Sequence, residues 1–158
     1  MAIRNVLPST NEILRKKCKP VVNFDDNLHI LLDDMKETMR INNGCGLAGP
    51  QVGILKRVAV VEVDDNYLEL VNPKIVYKKG VITDLEGCLS VKDVWGYVER
   101  PKKVIVEAFD RNGNPIKVTA TDFFARAICH EVDHLDGIVF TDIMTELYVP
   151  QKNKKEKK

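Results

Sequence analysis

The stretch that most constrains this chain is His130-Glu131-Val132-Asp133-His134. On a helix, residues four apart share one face, one turn above the other, so both imidazoles can reach a single metal ion. Glu131 projects to the side, near enough to meet a water beside that ion without ligating it. A divalent cation next to a carboxylate is equipment for activating water, which points to a metallohydrolase. The competing reading is a charged helix with surface histidines. The composition weighs against it, because the chain has three histidines and two of them stand here. The third, His29, lies beside an apolar helical stripe and reads as a surface or packing residue.

A chain of 158 residues is long enough for one domain with its own core and short for two, so residues 1–150 are expected to form a single catalytic unit. Beyond it, five lysines and one glutamate give residues 151–158 a charge of +4, which leaves the body at −3 against a total of +1. A lysine run of this kind is expected to be a solvated, disordered tail, with weak attraction to RNA phosphates as the alternative. No apolar run approaches a membrane span or a signal peptide, so the expected compartment is the cytoplasm. Thiols are reduced there. Cys18, Cys45, Cys88 and Cys129 are therefore read as ligands or packing residues before disulfides.

The periodicity gives an α+β class. Leu28, Leu31, Leu32, Met35 and Met39 recur at helical spacing after capping residues at 23–26, and this helix ends near Asn42-Asn43-Gly44. Strand-like runs follow at 57–63, 68–72, 74–77, 81–84, 97–100, 103–109 and 116–121. The turn at 110–114 makes the last two an antiparallel hairpin. Thr121 or Asp122 can cap a second long helix that carries the histidines and stops at Gly137. Short antiparallel or mixed strands packed around a metal-binding helix, without a βαβ rhythm, define the expected architecture.

Two histidines leave a metal site in need of a third protein ligand and an open position. In the metzincin pattern that ligand would fall at position 140, which is phenylalanine. A downstream glutamate ligand, as in thermolysin-like enzymes, has only Glu146 and Glu156 to draw on. A better donor lies upstream in Glu86-Gly87-Cys88-Leu89-Ser90, where Gly87 lets the backbone approach the metal and Cys88 offers a thiolate. Cys129 points away from its neighbour His130 and reads as a small buried thiol. The segment Gly44-Cys45-Gly46-Leu47-Ala48-Gly49-Pro50-Gln51 lacks the features of a nucleotide-binding loop. Its glycines instead permit a peptide to lie against the main chain, and Gln51 offers an amide donor.

These three segments, in this order, resemble the peptide deformylases, and the similarity covers nearly the whole chain before the lysine tail. The departure is Gly49, where the family usually has alanine. The resemblance implies that Cys88, His130 and His134 hold the metal and that Glu131 is the base. It implies that the Leu89 N–H and the Gln51 amide face the oxyanion formed when a formyl carbonyl is attacked. The implied substrate is the N-formylmethionine end of a newly made polypeptide, and the products are formate and a free amino terminus. Cys45, Phe123 and Ala127 become candidate walls of a methionine pocket, or ordinary core. Gly46 and Gly87 would pair with the substrate backbone, and Arg126 or Arg100 would support Glu86. Ferrous iron is the metal implied, with zinc or nickel able to occupy the same donors.

Two other functions compete. A general metalloendopeptidase shares the helix but lacks a recognised third ligand. A non-catalytic, metal-stapled module that binds peptides, or ribosomal RNA through its tail, has no use for Glu131 and Gln51.

Overall fold

The computed structural model describes residues 2–149, so the lysine tail lies outside the described residues. A 3-10 turn at Glu12–Arg15 precedes helix α1 at Asp26–Ile41. Asp25 starts α1 by accepting the Leu28 N–H at 3.1 Å. Strand β1 (Gly46–Ala48) leads through a 3-10 turn into β2 (Val58–Val63), β3 (Asn66–Lys79), β4 (Ile82–Cys88), β5 (Val91–Arg100), β6 (Lys103–Phe109) and β7 (Pro115–Thr121). Helix α2 (Asp122–Leu135), the short α3 (Phe140–Ile143) and β8 (Glu146–Leu147) complete the order.

The strands form a five-stranded sheet, β1-β2-β3-β6-β7, and a three-stranded sheet, β4-β5-β8. Every ladder is antiparallel. The one parallel pairing among the described residues is an isolated bridge between Lys19 and Lys56. Successive side chains of a strand point to opposite faces, and β2 uses both. Val58 and Val60 pack with Leu32, Met35 and Met39 of α1, while Val61 packs with Ile128 and Val132 of α2. The large sheet is therefore covered by α1 on one face and α2 on the other.

Helix α2 is buried almost all round from Ala125 to Leu135. This excludes the surface-helix reading of its histidines, because a helix buried on every side must pair its polar groups internally. The small sheet meets α2 on the flank that the large sheet leaves free, with Leu14, Val98, Val139 and Phe140 forming a separate apolar cluster there.

Several boundaries differ from expectation. The runs at 68–72 and 74–77 are one strand, because Asn72 adopts φ +52° and its amide brackets Val21 N and O, which makes a bulge where the sequence suggests an end. The run at 81–84 extends to Cys88, so the thiol closes a strand. The run at 97–100 begins at Val91. At the start of α2, Thr121 occupies the cap position but its side chain makes no cap bond. The helix itself ends at Leu135, two residues before Gly137.

Candidate metal centre

Cys88, His130 and His134 are brought together as the sequence implied. Their ligand atoms all lie within 4.8 Å of one another. Cys88 Sγ is 3.3 Å from His134 Nε2. An S–N edge of a tetrahedral site with arms of about 2.3 and 2.1 Å spans roughly 3.6 Å, so this donor set fits a first-row divalent cation. Phe140, the position that fails the metzincin pattern, stacks beside the His130 ring with centroids 6.1 Å apart. Cys129 is buried away from the set, and burial pushes its thiol up to about 11.

Glu86 orients His130. Its Oε1 lies 2.8 Å from His130 Nδ1, and the same carboxylate accepts Arg100 through Nε at 2.7 Å and Nη2 at 2.9 Å. Arg126 adds a bond at 2.7 Å. Both arginines that the sequence offered as partners are therefore used. Burial alone would raise the Glu86 carboxyl, but the bonds from Arg100 and His130 hold it down at about 2. An ionised carboxylate can only accept, so Nδ1 carries a proton and Nε2 is the ring nitrogen that would ligate a cation, in place of any proton it holds without one.

The charges of the site call for a cation. Burial works against a proton on His130, yet Cys88, Glu131 and Glu86 together raise that imidazole to about 10. Burial and then the charge on His130 keep His134 neutral, the form that ligates. Burial pushes the Glu131 carboxyl up to about 7, with the charge on His130 the leading opposing influence. Glu131 Oε1 is one of only two buried side-chain polar atoms without a partner among the described residues, the other being His134 Nδ1. A buried, unpaired carboxylate oxygen with a near-neutral pKa is suited to exchanging protons with a reactant.

A cleft of about 350 Å³ opens onto these groups. Cys45, Gly46, Gly87, Phe123 and Ala127, the residues named from the sequence as pocket walls or backbone partners, all line it. Ala127 is buried, whereas Phe123 is 50% exposed at the rim. Gly46 lies on β1 and Gly87 on β4, each at the edge of its sheet. Gln51 is buried, its Oε1 accepting the Ala48 N–H at 3.0 Å while Nε2 lies 3.1 Å from Ser90 Oγ and 3.5 Å from Cys88 Sγ. Leu89 and Ser90 form the tight turn from β4 to β5, and the Leu89 N–H has no acceptor among the described residues.

At Gly87 a side chain would strike the Trp95 ring at 2.7–2.9 Å, so glycine makes room here for the indole. Trp95 lines the cleft, Ser90 meets Gln51 and Asp133 meets Arg100, three contacts that sequence spacing does not show. Trp95 is the chain's only tryptophan and is 52% exposed at the cleft mouth, a signal that was available. Asp133 sat inside the histidine motif unassigned.

The family model described as Polypeptide deformylase matches residues 3–149. The chain is 56% identical over 142 residues to a peptide deformylase of Caldicellulosiruptor bescii, covering 90% of this chain and 86% of that one. It is 50% identical to peptide deformylase 2 of Clostridium acetobutylicum, covering 92% and 98%. Among solved structures, that of a peptide deformylase from Thermotoga maritima superposes with a TM-score of 0.90 at 33% identity, covering 92% of this chain and 99% of the other. One from Legionella pneumophila gives 0.88 at 38% identity, covering 99% and 92%.

Proposed function

Because the chain belongs to the polypeptide deformylase family, a family of metal-dependent enzymes that remove N-formyl groups from nascent peptides, we propose a residue-level account of that reaction here. Cys88, His130 and His134 hold the metal. The observation that carries this reading is the convergence of one sulfur and two imidazoles beside an unpaired, buried Glu131 carboxylate. When bound there, a divalent cation supplies Lewis acidity that acidifies water and polarises a carbonyl. We assign Fe2+ as the native ion on the family resemblance, since zinc and nickel suit the same donors.

The substrate enters as an extended strand between the free edges of β1 and β4, with Gly46 and Gly87 exchanging main-chain hydrogen bonds with it. Its methionine side chain fills the cleft against Cys45, Phe123 and Ala127. Glu131 takes a proton from the attacking water, and the formyl carbon becomes tetrahedral. The Leu89 N–H and the Gln51 amide donate to the oxygen that gains charge. Glu131 then delivers its proton to the departing nitrogen, the C–N bond breaks, and formate leaves. The place of this work is the cytoplasm, where nascent chains are made. No helix among the described residues is long and apolar enough to cross a membrane.

The test is formate release from formyl-Met-Ala-Ser by anaerobically purified protein, with Glu131→Ala beside it. Turnover is expected to vanish in the variant while the metal stays bound. Undiminished turnover would remove Glu131 from its role.

A further inference from the structure

We propose that Asp133, acting through Arg100, is a positioning residue for the metal, an inference that rests on Cys88, His130 and His134 being its ligands. Those ligands come from two separately packed parts of the molecule. Cys88 closes β4 in the three-stranded sheet, whereas the histidines ride on α2, which packs its apolar face on the five-stranded sheet. Something must set the helix against the β4–β5 hairpin to within a few tenths of an ångström, because metal donors tolerate little error.

Apolar packing alone is poorly suited to this, since it is non-directional. The directional links come from one stripe of α2, residues 126, 130 and 133, which helical spacing places on a single face. Arg126 holds Glu86 at 2.7 Å, the Val98 carbonyl at 2.8 Å and the Ile82 carbonyl at 2.7 Å. His130 meets Glu86. Asp133 Oδ2 accepts Arg100 Nη1 at 2.5 Å. Apart from the Cys88–His134 contact itself, these are the side-chain hydrogen bonds that join α2 to β4 and β5 among the described residues.

Arg100 is the hinge-pin of the set. Its guanidinium binds Glu86 through two nitrogens and Asp133 through the third, so one rigid plane references both the group that orients His130 and the residue that precedes His134. Arg126 pins the N-terminal end of the stripe and Asp133 the C-terminal end. Cys18 N and Arg57 Nη1 hold the Leu135 carbonyl at 2.9 and 3.2 Å, but neither belongs to β4 or β5. Without Asp133, His130 keeps its partner but no side-chain bond other than the Cys88–His134 contact ties this end of the helix to the hairpin that carries Cys88. The Asp133 side chain is 26% exposed, and Arg100 has in Glu86 a second carboxylate partner that does not depend on Asp133. The effect on the metal is thus separable from an effect on folding.

The experiment loads the full-length protein with Co2+ and follows release to excess chelator, the visible spectrum of the bound ion, and the melting of the metal-free chain. Wild type, Asp133→Asn, Asp133→Leu, Asp133→Glu, Cys88→Ala and the core variant Val98→Ala are compared. Asp133→Asn and Asp133→Leu are expected to release metal about 10- to 100-fold faster and to shift the ligand-field bands. Their metal-free melting should stay within about 3 °C of wild type, less than one strong interaction is worth in a chain this size. Asp133→Glu should recover part of the loss. Release at the wild-type rate in both variants, or acceleration no greater than that of Val98→Ala for equal loss of melting temperature, overturns the proposal. A wild-type complex without the thiolate band that Cys88→Ala abolishes would overturn the ligand assignment itself, and is told apart by that signature.

Discussion

A β-carbon on Gly46 would lie 2.8 Å from Cδ and 2.9 Å from Cγ of Glu131, and closer still to Oε2. Strand β1 therefore passes over the proposed base with no room for a side chain, and the carboxylate rests against bare backbone. Gly46→Ala is expected to push Glu131 off its position while leaving the three metal donors untouched. The kcat for formate release should fall by about 100-fold or more, the size typical of losing a positioned acid–base group, with metal content unchanged. Activity within a few-fold of wild type would show that Glu131 does not work from the position described.

Gln51→Ala removes a donor held rigid by its bonds to Ala48 and Ser90. A preorganised donor acts on charge that develops only in the transition state, so the loss should appear in kcat, by a factor of about 100 to 1,000, with little change in KM. Steady-state kinetics on a formylated tripeptide check this. A rise in KM alone would make Gln51 a binding group.

Glu86 links stability to pH. Its folded-state carboxyl is held at about 2 against an ordinary value of 4.5, so its contribution is fully present above pH 4.5 and is lost as the pH falls through 2. Glu86→Gln leaves Arg100, Arg126 and His130 facing a neutral group. At pH 7 it should destabilise the metal-free chain by about 3–5 kcal/mol, the cost of breaking a buried pair on one side. Denaturant melts at a series of pH values should show the gap between wild type and variant closing below pH 4.5. A gap that stays constant to pH 2 would place the stabilisation elsewhere.

Much of the site was legible because its chemistry is local. Two histidines at helical spacing need only one helix, and that helix is specified by its own apolar pattern. Cys88 emerged because residue 140 could not ligate, an argument by elimination that needs no coordinates. What escaped depends on contacts between distant parts of the chain. Asn72 and Pro73 look like a strand end until Asn72 is seen to bond Val21, about fifty residues away. Helix α3 and strand β8 are too short to carry a pattern and exist because the Met144 N–H returns to Phe140 O and the Thr145 N–H reaches Tyr97 O. The pairing of Asp133 with Arg100 is invisible until the end of β5 is placed beside α2.

Cys88→Ala tests the sulfur by subtraction. The variant keeps His130, His134 and Glu131, so a site that needs only the helix would retain metal. Loss of at least 100-fold in affinity is expected, more than the loss of a supporting residue typically causes. Competition with a chromogenic chelator measures it, and retention of wild-type affinity would mean that another side chain completes the site.

The most direct measurement is X-ray absorption at the edge of the bound metal in the intact, anaerobically purified protein. The account predicts one sulfur at about 2.3 Å and two imidazole nitrogens at about 2.0–2.1 Å, with the sulfur scattering absent from Cys88→Ala. A first shell made only of nitrogen and oxygen in the wild-type protein would contradict it.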